Sequence, residues 1–238
     1  MNRPPSLLHR IWLAWLDLRN RLDYPLRQRL RLQRGGLVLR NEPKSDLFAR
    51  LPSPTKELAE QTASRLLSEY HLDNLYWRSS VDLYLENLFY LELLEHALER
   101  ANATLPDPLT AADIGPSSWF YVQALFALLT YWRCPQGRAA NLSGFEIDAY
   151  RVYMDFRSRF EHAQAHLRNI ARARYLARAF ERHPDAYDAI FMLFPFIFPK
   201  DHLEWGLPRP LFQPQVLLGD AWESLKAGGV LAIVNQGR

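Results

Sequence analysis

Short apolar runs alternate with longer segments of helical pattern from residue 109 onward. The strand-like runs are Leu109–Ile114, Leu142–Ile147, Tyr175–Ala177, Tyr187–Phe194 and Val230–Val234. Parallel strands need a long crossover between them, usually a helix, so this alternation is typical of a parallel sheet. The intervening helical patterns cover Trp119–Trp132, Tyr150–Arg172 and Pro214–Lys226. The sequence therefore predicts an α/β fold, a parallel sheet with helices on both faces.

The part of the chain before this alternation is poor in glycine. None of the 10 glycines lies between Leu37 and Ile114, and a stretch without glycine favours helix over tight turns. The predicted helices there are Ser6–Leu32, broken at Pro25, then Pro54–Tyr70 and Ser80–Arg100. Two prolines follow in the segment 102–108. We therefore expect a helical N-terminal region, residues 1–105, and an α/β domain, residues 106–238.

Composition excludes several classes of protein. Hydrophobic residues make up 48% of the chain and charged residues 23%, which is typical of a globular protein and not of a disordered one. The single cysteine, Cys134, excludes a disulfide scaffold and a multi-cysteine zinc site. His162 and His166 are four residues apart and share a predicted helix face, but no Glu follows His162. We expect no metal site.

Basic residues are concentrated near the start of the sequence. Through Arg50 there are 11 Lys or Arg against four Asp or Glu, a balance of +7 in a chain of net charge +3. The first predicted helix also has an apolar face, formed by Leu8, Ile11, Trp12, Trp15, Leu18 and Leu22. Such a helix either packs against its own protein or makes a weak contact with an anionic surface, such as a membrane or nucleic acid. Both interpretations stay open.

The sequence carries no pattern typical of a membrane span or a secretory signal. The longest apolar run, Phe120–Trp132, is shorter than the roughly 18 residues that cross a bilayer. Near the start, His9, Arg10 and Asp17 interrupt the apolar residues, and no small-residue cleavage site follows. We expect a soluble, cytoplasmic protein.

Polar residues and a glycine stand where two predicted strands end. Asp113 and Gly115 close the first strand, and Glu146 lies at the end of the second. Ligands of open parallel sheets bind beyond the carboxyl ends of the strands. A glycine there lets the backbone approach a ligand closely, and a carboxylate can hold a ribose diol by two hydrogen bonds.

These residues resemble the motifs of the class I S-adenosylmethionine-dependent methyltransferases. The resemblance covers about Leu109 to Val234, a little over half of the chain. It is carried by Asp113-Ile114-Gly115, Glu146, Tyr187-Asp188-Ala189-Ile190 and Leu225-Lys226-Ala227-Gly228-Gly229-Val230-Leu231. It implies a Rossmann-like fold, S-adenosylmethionine as cofactor, and methyl transfer to an acceptor that the sequence does not identify.

The resemblance also implies roles for individual residues. Asp113 would orient the methionine end of the cofactor, with the backbone of Gly115, Pro116 and Ser117 beside it. Glu146 would bind the ribose hydroxyls, and Ile147 would lie against the adenine. The residues expected to border the methyl-transfer site are Leu193, Phe194 and Pro195. No residue is predicted to act as a general base.

Departures from the family pattern leave alternatives open. Ser117 and Trp119 stand where the family has glycines, and the sequence ends after the fifth strand, where the family adds two more. One alternative is a catalytically inactive interaction module of the same fold. Another is a basic-arm protein that binds nucleic acid or a membrane surface. A nicotinamide-binding domain fits less well, because it expects Gly-x-Gly-x-x-Gly after the first strand. The helical region is expected to cover the acceptor site or to support a homo-oligomer.

Overall fold

The computed structural model describes residues 7–235. The helices are α1 (Leu7–Leu30), α2 (Thr55–Glu69), α3 (Asp73–Arg78), α4 (Val81–Arg100), α5 (Val122–Tyr131), α6 (Arg159–His166), α7 (Pro199–Glu204) and α8 (Pro214–Glu223). The strands are β1 (Leu109–Ile114), β2 (Ala140–Phe145), β3 (Ala173–Leu176), β4 (Tyr187–Leu193) and β5 (Leu225–Val234). The described residues therefore form the predicted succession of a helical part followed by alternating strands and helices.

The five strands form one parallel sheet in the order β3-β2-β1-β4-β5. This confirms the prediction of a Rossmann-like α/β fold. The chain builds outward from β1 through β2 to β3, then returns to the other side of β1 with β4. The strand order thus reverses between β1 and β4, and such switch points are where open sheets bind ligands. Strands β3 and β5 are the edges of the described sheet.

Helices cover both faces of the sheet, as predicted. Ala111 of β1 and Phe191 of β4 point to the face that packs with α4 and α5 in the larger apolar core. Ala112 and Ile190 point to the opposite face, where Ala221 of α8 closes a smaller core. All residues of β4 are buried, which is typical of a central parallel strand.

The larger core contains residues from both parts of the chain. Leu91 and Leu94 of α4 are fully buried, and they belong to the same cluster as Leu125 and Leu128 of α5. The proposed division at residue 105 stays a prediction. Across that division, however, the helical part and the sheet share one continuous apolar core.

The predicted break in the first helix is wrong. Helix α1 continues through Pro25 to Leu30, although proline removes one helical hydrogen bond. Tertiary contacts hold the helix on both sides of Pro25, because Tyr24 and Gln28 both donate side-chain hydrogen bonds to the carbonyl of Ile147. The predicted start at Ser6 lies outside the described residues.

The long helix predicted over Tyr150–Arg172 is also wrong. Only Arg159–His166 is helical. Ser158 begins this helix through a capping box with Glu161, in which each side chain accepts a bond from the other residue's backbone N–H. Residues 151–158 form a turn closed by a bridge between Val152 and Ser158. The apolar spacing therefore predicted a helix that begins too early, because it did not take account of the capping signal at Ser158.

No helix within residues 7–235 is long and apolar enough to span a bilayer.

Candidate cofactor-binding site at the strand ends

The loop after β1 is shaped by residues with positive φ. Gly115 has φ +73°, Ser117 +56° and Trp119 +54°. Residues other than glycine rarely adopt this left-handed region of the backbone. The N–H of Gly115 donates a 2.8 Å bond to the carbonyl of Phe145 at the end of β2. A β-carbon at position 115 would meet no atom within 4 Å. The predicted cofactor loop is therefore a tight turn with open space on its outer side. Because of this turn, helix α5 begins at Val122 and not at the predicted Trp119.

Asp113 is fully buried at the end of β1. Its Oδ2 accepts two hydrogen bonds, one of 2.7 Å from the indole Nε1 of Trp119 and one of 2.8 Å from the hydroxyl of Tyr121. Its Oδ1 has no hydrogen-bond partner among the described residues. Burial raises the pKa of Asp113 to about 7, against the lowering effect of the two donors. The site thus contains a desolvated carboxyl group with one oxygen left to accept a further donor.

Glu146 lies beside the loop and is also buried. Its Oε2 accepts a 2.8 Å hydrogen bond from the N–H of Ser117, and its Oε1 accepts one of 2.8 Å from the N–H of Asp148. The nearest cation is Arg159, whose Nη1 lies 3.6 Å from Oε1. Burial raises the pKa of Glu146 even so. The predicted ribose ligand therefore holds the predicted cofactor loop through a backbone bond.

Trp119 fills the space under the loop. Its ring is fully buried and lies against Gly144 in β2, where a β-carbon would be 2.7 Å from Cη2. Tyr175 of β3 lies beside it, with ring centroids 5.9 Å apart. The hydroxyl of Tyr175 donates a 2.6 Å hydrogen bond to the carbonyl of Ser117. Sequence reasoning missed both partners of this tryptophan. A glycine inside a strand was the available signal, because such glycines often mark a close approach.

The residues predicted around the methyl-transfer site lie at the end of β4. Leu193 is buried, and Phe194 has φ +56° and donates its N–H to the carbonyl of Val234. The ring of Phe194 makes an edge contact with Tyr90 of α4, 6.4 Å between centroids. Tyr90 in turn stacks on Tyr121, the Asp113 partner, at 5.1 Å. An aromatic row thus connects the two groups of predicted site residues.

Pro116 and Pro195 complete the predicted set. Pro116 is buried between Gly115 and Ser117, and its carbonyl accepts the N–H of Trp119. Pro195 is half-buried after Phe194. Asp113, Ser117 and Glu146 are therefore in one hydrogen-bonded assembly, whereas the β4 residues adjoin it through aromatic packing.

Helix α1 covers the loop that follows β2. Arg27 donates to both oxygens of Asp148, 2.7 Å from Nε and 3.0 Å from Nη2. Asp148 is fully buried, and Arg159 lies 3.6 Å away. Ile147, predicted to face the adenine, is half-buried and binds Tyr24 and Gln28 through its carbonyl. A helix from the start of the chain thus closes one side of the strand-end site.

Other features lie away from this site. A groove of about 280 Å³ is lined by Val38, Leu39, Asn41, Asn74, Arg78, Gln123, Ala165, Arg168 and Asn169, none of which was predicted to bind the cofactor. His162 bonds to Asp155 at 2.9 Å. Within residues 7–235, no group of three or more His, Cys, Asp or Glu is placed to hold a metal ion.

Comparisons with known proteins find similarity in folded structure but not in sequence. No protein-family model matches the sequence, and no curated protein matches it either. Among solved structures, the chain is similar to an S-adenosylmethionine-dependent methyltransferase from Aquifex aeolicus, with 18% identity and a TM-score of 0.41. It is also similar to the [4+2]-cyclase SpnF, with 16% identity and a TM-score of 0.38.

A third similar structure is phosphoethanolamine N-methyltransferase 2 of Haemonchus contortus in complex with S-adenosyl-L-methionine, with 15% identity and a TM-score of 0.38. The alignments cover 60%, 60% and 59% of this chain in the same order, and 65%, 43% and 27% of the three solved chains. The chain thus spans less than two thirds of the length of each.

Proposed function

We propose that this chain binds S-adenosylmethionine at the carboxyl ends of β1 and β2 and transfers its methyl group to an acceptor. The observation that carries the proposal is the Oδ1 atom of Asp113, a fully buried carboxylate oxygen without a hydrogen-bond partner among residues 7–235. A buried acceptor of this kind is costly unless a donor reaches it. It lies on β1, at the point where the strand order reverses.

The methionine end of the cofactor matches this oxygen in charge and hydrogen bonding. Its ammonium group is a cationic donor, and it would satisfy Asp113 Oδ1 while keeping the carboxyl group ionised. The open space beside Gly115 leaves the backbone of the loop accessible from outside. Asp113 would therefore orient the cofactor, while Trp119 and Tyr121 hold the carboxyl group from within through Oδ2.

The ribose end fits only if the loop moves. Each oxygen of Glu146 already accepts one backbone N–H, and the side chain is only 4% exposed because the loop after β1 covers it. Ribose hydroxyls would reach Glu146 when the N–H of Ser117 separates from it. Binding of the cofactor would thus replace a bond inside the protein with one to the ligand, and Ile147 would adjoin the adenine.

The cofactor supplies a methyl group on a positively charged sulfur. The chain would contribute position and exclusion of water, which can account for much of the barrier lowering in a displacement reaction. Leu193, Phe194 and Pro195 would border the acceptor side, since they lie at the carboxyl end of β4, the strand next to β1. We assign no general base.

A second candidate function rests on the bond between Ser117 and Glu146. It closes the loop over the carboxylate that would bind ribose, and Tyr175 holds the same residue from its carbonyl side. A fold hosts many functions, and this closure favours a non-catalytic module that keeps the sheet without the cofactor.

Titration calorimetry with S-adenosylmethionine and S-adenosylhomocysteine separates the two candidates. We expect heat of binding from both ligands, weakened at least about tenfold in Asp113→Asn, because the neutral amide loses its ionic bond to the ammonium group. The control is Asp185→Asn, an exposed residue before β4 at the opposite end of the sheet. A folded sample that gives no heat with either ligand contradicts the methyltransferase proposal and supports the non-catalytic module.

A further inference from the structure

Helix α1 packs on the rest of the chain through one face only. Leu16 and Asn20 are buried in that contact, and Asn20 Nδ2 donates to the carbonyls of Leu203 and Leu207 at 2.8 and 3.1 Å. Arg27 binds Asp148 on the same side. These bonds set the rotation of the helix about its axis, so its other face is directed to solvent.

The solvent face of α1 is apolar. Its side chains follow one another at intervals of three or four residues, which places them on one stripe of a helix. The stripe consists of Leu8 (79% exposed), Ile11 (57%), Trp15 (55%), Leu18 (60%), Leu22 (71%) and Leu26 (55%). A continuous exposed stripe of this length marks an interaction surface, whereas single exposed leucines are ordinary.

Arginines border this stripe. At 100° per residue, Arg10 and Arg21 lie on one side of it, Arg19 on the other, and Arg29 within it near the end of the helix. All four are exposed. The guanidinium group of Arg19 lies 5.4 Å from the ring centroid of Trp15. An apolar face flanked by cations is the pattern of helices that lie in the surface of anionic membranes.

The acidic residues of α1 are already paired and do not offset the charge of the arginines beside the stripe. Asp17 is paired with Arg21, and its other oxygen accepts the N–H of Arg209. Asp23 is paired with Arg27 on the packed side. A second copy of this helix laid on the stripe would bring arginines against arginines, which opposes self-association.

We propose that the outward face of α1 binds the surface of an anionic lipid bilayer, with the helix axis in the membrane plane. The leucines, Ile11 and Trp15 enter the boundary between head groups and acyl chains, and Arg10, Arg19 and Arg29 contact lipid phosphates. The packed side of α1 stays on the loop after β2, so the strand-end site is held close to the bilayer. The proposal goes beyond methyl transfer and does not depend on it.

Flotation of the full chain with two kinds of vesicle tests the charge requirement. One kind is phosphatidylcholine alone, and the other is an equal mixture of phosphatidylcholine and phosphatidylglycerol. We expect at least about tenfold stronger binding to the anionic vesicles, falling as salt is added. Replacing two cations in Arg10→Gln/Arg29→Gln weakens binding about tenfold or more, whereas Arg100→Gln/Arg172→Gln, with the same net charge, leaves it unchanged.

A matched pair of apolar variants tests the face itself. Ile11→Ser/Leu22→Ser abolishes flotation, whereas Leu58→Ser/Val216→Ser, with comparable exposure on α2 and α8, does not. Thermal unfolding and circular dichroism stay close to the parent in both, because these side chains are exposed. A folded sample that binds neither vesicle overturns the proposal, as does binding that survives Ile11→Ser/Leu22→Ser. A dimer in light scattering that this variant dissociates, without vesicle binding, identifies a second copy as the occupant instead.

Discussion

The ring of Trp119 and the backbone of Gly144 are packed so closely that a β-carbon at position 144 would lie 2.7 to 2.9 Å from three atoms of the indole. Real β-carbons do not approach this near, so the tryptophan and the glycine depend on each other. The indole Nε1 also bonds to Asp113. The glycine in β2 therefore leaves room for the ring that donates a hydrogen bond to the carboxyl group of the candidate site.

Gly144→Ala is expected to destabilise the protein by about 1–3 kcal/mol, because the buried ring has no space to move into. Urea unfolding measures this change. Gly219→Ala is the control: Gly219 lies in α8, and an added β-carbon meets no atom within 4 Å. That change should be neutral or stabilise by up to about 1 kcal/mol. Combining Gly144→Ala with Trp119→Leu should recover part of the loss, and strict additivity of the two changes would contradict the contact.

Asp113 is expected to make stability depend on pH. Its pKa in the folded protein is raised to about 7 by burial, above the ordinary value of about 3.9 in the unfolded chain. A raised pKa means that the folded state binds the proton more tightly, so the contribution is complete below pH 4 and is lost as pH rises towards 7.

The measurement compares the parent with Asp113→Asn across pH 4 to 7. The free energy of unfolding of the parent should fall relative to that of the variant as pH increases. The comparison also removes the opposite effect of His166, whose pKa burial lowers to about 4 and which both proteins share. A constant difference between the two proteins over this range would show that Asp113 does not titrate there.

The ion pair between Arg27 and Asp148 is expected to hold α1 on the sheet. Asp148 is fully buried, and Arg27 binds both of its oxygens. Arg27→Gln leaves this carboxylate with Arg159, 3.6 Å away, as its remaining cation. The expected loss is about 2–4 kcal/mol in urea unfolding, since removal of one partner strands a buried charge.

Arg21→Gln is the matched control on the same helix. Arg21 is more than half exposed and pairs with Asp17, so its replacement should cost less than about 1 kcal/mol. Equal losses for the two variants would mean that burial of Asp148 adds nothing to the pair.

The strand ends show how far the sequence predicts the candidate site. Asp113 and Glu146 were both expected where strands end, and parallel pairing of β1 with β2 brings those ends together. What each carboxylate binds did not follow from spacing. Glu146 was expected to bind the ribose hydroxyls, whereas in the structure its oxygens accept hydrogen bonds from the N–H groups of Ser117 and Asp148. Their roles toward a cofactor stay predictions.

The sequence alone predicted the five strands, the parallel sheet and the longer helices on either side of it, because apolar periodicity reports which side of each segment is buried, and this is a local property. It did not predict the short helices α3 and α7. Tertiary structure decided the rest. Helix α1 passes Pro25 because the loop after β2, more than 100 residues away, binds it on both sides. The segment after Tyr150 is mostly not helical because Ser158 and Glu161 form a cap. The loop after β1 accommodates the ring of Trp119 because Gly144, on β2, leaves room for it. Contacts between residues far apart in sequence are set by packing, and periodicity carries no record of them.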